Sequence, residues 1–187
     1  SFVLKGAIRH YDTQLKEWRP LQAGDVQIIR SGNGISHSEF MSKEAEIFQI
    51  WFDPNLTKTM EQPASYDDYR ADEFPVSVVD GVQVKTLAGP GSPFRMDTPG
   101  ITVQRFDLGS ATHTFAADPG KIYSAYILEG EALLNGETAK QYDFALVTEE
   151  QSIEIQSLTG ASIFIIASPQ QPGYRTYADL MKARMGR

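Results

Sequence analysis

The 187 residues include 41% hydrophobic and 22% charged side chains, an ordinary globular composition in a chain long enough for one large domain or two small ones. A formal charge of −7 and a pI near 4.9, with no stripe of Lys and Arg, exclude a protein that grips nucleic acid through its phosphates. The absence of Cys excludes disulfides and thiolate metal sites, and no apolar run is long enough to span a membrane.

In chain order, Ser1-Phe2-Val3-Leu4 carries no charged n-region or cleavage pattern, so it reads as the middle of a strand rather than a signal peptide. A cytoplasmic, monomeric protein is expected. Short β-branched and aromatic runs, punctuated by Gly, Pro and Asp, lie at 2–4, 26–29, 47–52, 82–87, 101–106, 123–128, 144–147, 153–155 and 163–167. Many short strands at such spacing predict an all-β sandwich or barrel. Helix is predicted over 174–185, where Tyr177, Leu180, Met181 and Met185 recur at helical spacing, and over a shorter stretch around 65–71. The basic tail residues Lys182, Arg184 and Arg187 fit the solvated end of the longer helix.

An internal repeat runs through these strands. Phe2-Val3-Leu4-Lys5-Gly6 matches Tyr126-Ile127-Leu128-Glu129-Gly130, and Gly24-Asp25-Val26 is echoed by Tyr142-Asp143-Phe144. Ser36-His37-Ser38-Glu39 falls opposite Ser152-Ile153-Glu154-Ile155, Phe48-Gln49-Ile50 opposite Phe164-Ile165-Ile166, and Pro54 near Pro169. The shared order, with a slowly shrinking offset, predicts two tandem barrels. The expected division is an N-terminal barrel core at 1–55, a connecting segment at 56–80, and a second barrel with a C-terminal helix at 81–187. The stretch 53–75, rich in Pro, Asp and Tyr, reads as a surface crossover. The second copy has strand-like sequence ahead of its Tyr126 run and the first has none ahead of Phe2, so the chain is expected to be an N-terminally shortened form whose opening strands are missing.

The most informative segment is Gly32-Asn33-Gly34-Ile35-Ser36-His37-Ser38-Glu39. Two glycines mark a tight turn, and the strand that follows puts His37 and Glu39, two residues apart, on one face. Turned outward, they are a polar strand face; turned inward, an imidazole and a carboxylate converge and call for a cation. Their replacement by Ile153 and Ile155 in the second copy favours the inward reading. Such donors suit Fe, Mn, Ni, Cu or Zn. His10 reads as a turn-supporting hydrogen-bonding residue and His113 as an exposed loop or strand residue. Asp25, Gln27 and Gln49 are candidates for hydrogen bonds behind the site. Phe2, Phe40, Phe48 and Trp51 either line a pocket or simply fill the core.

Three segments of the first 55 residues resemble the pirin family. Phe2-Val3-Leu4-Lys5-Gly6-Ala7-Ile8-Arg9-His10-Tyr11-Asp12 is similar to its Tyr-Val-Leu-Glu-Gly-x-Val-x-His-x-Asp hairpin. Ala23-Gly24-Asp25-Val26-Gln27 followed by Ser31-Gly32-Asn33-Gly34-Ile35-Ser36-His37-Ser38-Glu39 resembles Pro-Gly-Asp-Val-Gln and Ala-Gly-x-Gly-Ile-x-His-Ser-Glu. Phe48-Gln49-Ile50-Trp51-Phe52 with Pro54 resembles the next Gln-Ile-Trp…Pro element. The resemblance implies a bicupin, two jelly-roll barrels in tandem, with one metal held by three His and one Glu. His37 and Glu39 match two of these ligands. The other two, an upstream His-x-His pair, would fall before Ser1, and two ligands alone would hold an ion weakly. At the matching places the second barrel has Ala116 and Asp118, which predicts that it is metal-free.

The resemblance further implies a metal-dependent dioxygenase of the quercetin 2,3-dioxygenase type. It would use Fe(II) or another divalent transition metal, a small aromatic, flavonol-like substrate, His37 as ligand, and Glu39 as ligand and base. The alternative is a non-catalytic, iron-dependent regulatory module with a protein partner, touching neither nucleic acid nor membrane directly. A structural cupin without either activity is the third reading.

Overall fold

The structure, a computed structural model, describes residues 1–186; Arg187 of the basic tail lies outside them. Strands account for 51% of the described residues, which settles the class as all-β with a short C-terminal helix. The chain divides into two compact units. One contains 1–73, 95–99 and the residues from 173 on; the other contains 74–94 and 100–172.

The first unit runs β1 (Phe2–Lys5), β2 (Ala7–Asp12), β3 (Arg19–Gln22), β4 (Val26–Arg30), β5 (His37–Met41), β6 (Glu46–Phe48), a short helix α1 (Leu56–Thr59) and β7 (Ser65–Tyr69). These strands make two antiparallel sheets, in the orders β6-β1-β4-β7 and β3-β2-β5. Val3, Ile8 and Leu21 pack together between them, with Ala45 and Ile47 against the cluster. The strand expected over 47–52 stops at Phe48. Residues 65–69, expected as helix, form β7 instead. They pair with β4 from Val26↔Tyr69 to Arg30↔Ser65, so ladder hydrogen bonds and an Arg30–Asp67 ion pair of 2.6 Å override a weak local preference.

The second unit runs β8 (Val76–Val79), β9 (Val82–Ala88), β10 (Thr102–Leu108), β11 (Ala111–Ala116), β12 (Lys121–Leu134), β13 (Glu137–Lys140), β14 (Phe144–Thr148), β15 (Ser152–Ser157) and β16 (Ala161–Pro169). They form one antiparallel sheet in the order β11-β15-β12-β16-β10-β9-β8, with β13 and β14 also paired to β12. Its core is built from alternate residues of these strands, among them Phe106, Ile127, Leu134, Ile153, Ile155 and Ile163. The C-terminal helix α2 (Tyr177–Met185) groups with the first unit. A capping box between Thr176 and Asp179 starts it, and the Tyr174 hydroxyl donates to Asp53 O at 2.7 Å.

The repeat seen in the sequence recurs in the hydrogen bonds around one hairpin of each unit. In the first unit Val3 N–H donates to Asp25 O and Gly24 N–H to Val3 O; in the second Ile127 N–H donates to Asp143 O and Tyr142 N–H to Ile127 O. The Asp25 carboxylate accepts from Gln22 N and that of Asp143 from Lys140 N, in both cases three residues back. Registers match as well: Phe2↔Val26 with Tyr126↔Phe144, Val3↔Ile47 with Ile127↔Ile163, and Ile8↔Leu21 with Ala132↔Ala139. The single strand β12 therefore corresponds to β1 and β2 together.

Glycine marks the same bend in both copies, Gly6 at φ +69° and Gly130 at φ +76°. Both pass close to a neighbouring backbone: a Cβ on Gly130 would lie 2.1 Å from Gly160 O, and one on Gly6 2.9 Å from Ala45 Cα. Gly130→Ala should therefore lower stability by about 3 kcal/mol, and Gly6→Ala by about 1 to 2 kcal/mol, through strained backbone and steric overlap. Chemical denaturation of each variant checks both the sign and the order.

Candidate functional site

The site begins with the turn that launches β5. Gly32 adopts φ +47° where the chain runs against residues 62–64, and a Cβ there would approach Gln62 O to 2.3 Å. Asn33 N–H donates to Gln62 O at 2.8 Å. Thr13 and Ser36 then lock the end of β2 to the start of β5, through Thr13 N–H to Ser36 O at 3.0 Å and Ser36 N–H to the Thr13 hydroxyl at 3.2 Å.

From that anchor the antiparallel register sets His10 opposite Glu39 and Asp12 opposite His37. Directly opposed residues share a face, and His10 and Asp12 are both 0% exposed. His37 and Glu39 thus belong to the inward face of this sheet, with Glu39 half-buried and His37 open to solvent at its rim. The His10 and His37 ring centroids lie 5.9 Å apart. Phe40 points the other way, where the Arg9 guanidinium carbon sits 4.6 Å from its ring centroid and 5.4 Å from that of Trp18.

Two neighbouring strands complete the cluster. Gln27 of β4, 1% exposed, donates from Nε2 to Glu39 Oε1. The hydroxyl of Tyr66 on β7 donates to Gln27 Oε1 at 3.3 Å. Burial, reinforced by the charge of Asp68, pushes the Tyr66 phenol far above its ordinary pKa, so it remains a protonated donor. The Tyr66 ring stacks on His10, with centroids 4.3 Å apart and planes 11° from parallel.

Behind these groups, His10 Nε2 meets Asp12 Oδ2 at 2.8 Å, while Asp12 Oδ1 accepts from Gln14 N and Leu15 N, each at 2.7 Å. His10 therefore supports a turn, as its sequence position suggested. Burial works against the Asp12 charge, but the hydrogen bonds from Leu15, His10 and Gln14 outweigh it and hold the pKa below the usual carboxylate value. His10 Nδ1 is buried without a hydrogen-bond partner.

The other candidates are dispersed. Asp25 holds a hairpin rather than the site, accepting from Arg70 at 2.8 Å and Ala71 N at 3.0 Å. Gln49 donates to the Ser1 hydroxyl at 3.2 Å. Phe2 is core, Phe48 is half-buried, and Trp51 is 90% exposed. His113, expected to be exposed, is buried: it lies in β11 beside Phe106 and Phe115, with Nδ1 3.2 Å from Asp80 Oδ2. Tyr66 was not anticipated, and only knowledge that β7 pairs with β4 could have found it. Its neighbour Gln27, a candidate for a hydrogen bond behind the site from the sequence, takes that place through its bond to Glu39, and its counterpart in the second unit is Ala145.

The second unit shows what the same frame looks like without polar chemistry. Glu39 corresponds to Ile155, His37 to Ile153, His10 to Leu134 and Gln27 to Ala145. The pair Leu134↔Ile155 reproduces His10↔Glu39, and all four apolar residues pack in or against the core. Among the described residues no group of three or more His, Asp or Glu is placed to hold a metal ion. A repeated antiparallel β frame, polar on the inner face of one copy and apolar in the other, has the architecture of the cupin fold.

Comparisons carry this one step further. Residues 1–52 match the Pirin family model. Pirin-1 of Arabidopsis thaliana is 34% identical over 138 residues, 70% of this chain and 47% of that protein. A Pseudomonas aeruginosa protein named "Putative quercetin 2,3-dioxygenase" is 29% identical over 89% of this chain and 71% of its own length. Among solved structures, quercetin 2,3-dioxygenase from Acinetobacter baumannii superposes with a TM-score of 0.76 at 20% identity, covering 98% of this chain and 72% of that one. The bacterial pirin YhhW of Escherichia coli, in complex with nickel(II), does so at 0.71 and 24% identity, over 90% and 70% of the two chains. The chain is pirin-like, and it spans about half of the length of Pirin-1.

Asp12→Ala should destabilise the protein by about 3 kcal/mol, because it strips a buried His of its partner and two backbone donors of their acceptor. Since the Asp12 pKa is depressed in the folded state, its contribution is present above the ordinary Asp pKa and is lost as pH falls through the lowered value. Acid unfolding curves should therefore show a shallower low-pH limb in Asp12→Ala than in the parent.

Proposed function

We propose that the chain carries part of the metal site of a dioxygenase of the quercetin 2,3-dioxygenase type, with His37 and Glu39 as metal ligands. The observation that supports this most directly is the pairing of His37 and Glu39 with the buried face of β2, where the second unit places Ile153 and Ile155. The donor types fit a divalent transition metal, Fe(II) among them. In number they fall short of a closed site, so the ion would need the upstream His pair that the pirin resemblance implies. When bound, it would supply Lewis acidity and oxygen activation.

The chain's own residues would bind and position. The imidazole of His37, exposed at the rim, has no hydrogen bond among the described residues to give up before it ligates. Glu39 is held at Oε1 by Gln27, which leaves Oε2 for the ion or for the proton of a substrate hydroxyl. A small flavonol-like substrate is the ligand class that the name of the Pseudomonas relative suggests.

The test is metal content and flavonol oxidation in this chain, and in a form carrying the His-x-His segment at its N-terminus. The extended form, reconstituted with Fe(II), Ni(II), Co(II) or Mn(II), should bind near one metal per chain and bleach quercetin under air. His37→Ala should weaken metal binding at least ~100-fold, more than loss of an outer hydrogen-bond partner would. Glu39→Gln should bind metal but bleach quercetin slowly. Metal binding without turnover would favour the regulatory, protein-binding reading; no metal in either form would remove both.

A further inference from the structure

We infer that Tyr66 and Gln27 are positioning residues, a hydrogen-bond chain through the buried Gln27 that withholds one oxygen of Glu39 and presents the other, Oε2, to a ligand in a single orientation. This rests on the reading that Glu39 faces a ligand.

A Gln amide has a donor end and an acceptor end, and in a buried place the wrong end against a carboxylate leaves two acceptors facing each other. Gln27, 1% exposed, cannot turn to water for relief. Its Nε2 is committed to Glu39 Oε1, and its Oε1 to the Tyr66 hydroxyl. Tyr66 is held in turn on both sides, by the β4 ladder along its backbone and by the His10 ring 4.3 Å from its own. Asp12 then anchors His10. Each member therefore has one low-energy orientation, and the sequence of constraints ends at one carboxylate oxygen.

The repeat argues that this chain serves Glu39 and not the fold. The second unit keeps the matching registers and hydrogen bonds, yet has Ala145 in place of Gln27 and Ile155 in place of Glu39. Among the described residues β14, the counterpart of β4, has no strand on its other edge, so the place of Tyr66 has no equivalent. The barrel frame forms without the three residues, and all three are missing together.

The experiment has a metal-free arm and a metal arm. In metal-free protein, NMR should show one Gln side-chain amide, identified by its loss in Gln27→Leu, that is shifted downfield and protected from water exchange. Tyr66→Phe, which keeps the stacked ring, and Glu39→Ala should each move that signal toward a free amide. A free-amide signal in the parent, or one unmoved by both variants, would overturn the inference. Should Gln27→Leu fail to fold, selective loss of the signal's protection in Tyr66→Phe carries the same test.

In the metal arm, Co(II) is titrated into the N-terminally extended form and followed by its visible absorption. Gln27→Leu should weaken Co(II) binding about 10- to 100-fold and alter the band shape, with Tyr66→Phe changing both less. Unchanged affinity and bands in both variants would overturn the inference. The expected amide signal with no His37-dependent Co(II) binding in any form would sink the metal reading while upholding the hydrogen-bond chain.

Discussion

The antiparallel register of β2 against β5 sets His10 opposite Glu39 and Asp12 opposite His37, and the rest of the site follows from it. Side chains alternate along a strand, so a slip of one residue would send His37 and Glu39 to the outer face and bring Ser38 and Phe40 inward. Two local features guard against that slip. Gly32 lets the turn lie flat on residues 62–64, and the paired hydrogen bonds between Thr13 and Ser36 fix where β5 begins. The residues that make the chemistry possible are thus distinct from those that would perform it.

The two units show how one frame can carry either packing or polarity. Their hairpins share the same hydrogen bonds around Asp25 and Asp143, and the same glycine bend at Gly6 and Gly130. What differs is a handful of side chains on the inner face. Leu134, Ala145, Ile153 and Ile155 need only volume and apolar surface. His10, Gln27 and Glu39 carry polar atoms that call for partners, and Asp12 and Tyr66 supply part of them.

Much of the frame was legible because β-branched and aromatic runs separated by Gly, Pro and Asp announce strands without reference to the rest of the chain. Strands of mixed composition were harder: β7, which reads Ser-Tyr-Asp-Asp-Tyr, is held in place by pairing with β4 rather than by its own propensity. The shared face of His37 and Glu39 follows from a period of two and could be read locally. Tyr66 could not, because it reaches Gln27 from 39 residues away. His113 was misjudged for a related reason, since its burial comes from aromatic neighbours on β10 and β11 that only the folded sheet assembles.

The polar inner face of the first unit also bears on motion. Opening a strand costs free energy chiefly through the apolar surface it exposes. Where β12 and β15 would bare Leu134, Ile153 and Ile155, the same movement of β2 and β5 bares imidazole, carboxylate and amide groups that water readily solvates. Among the described residues β5 is also paired along one edge only, whereas β15 is paired along both. Excursions of the strand that bears His37 and Glu39 from the native ladder are thus cheaper than those of β15, and a ligand bridging the two side chains would act as its missing brace.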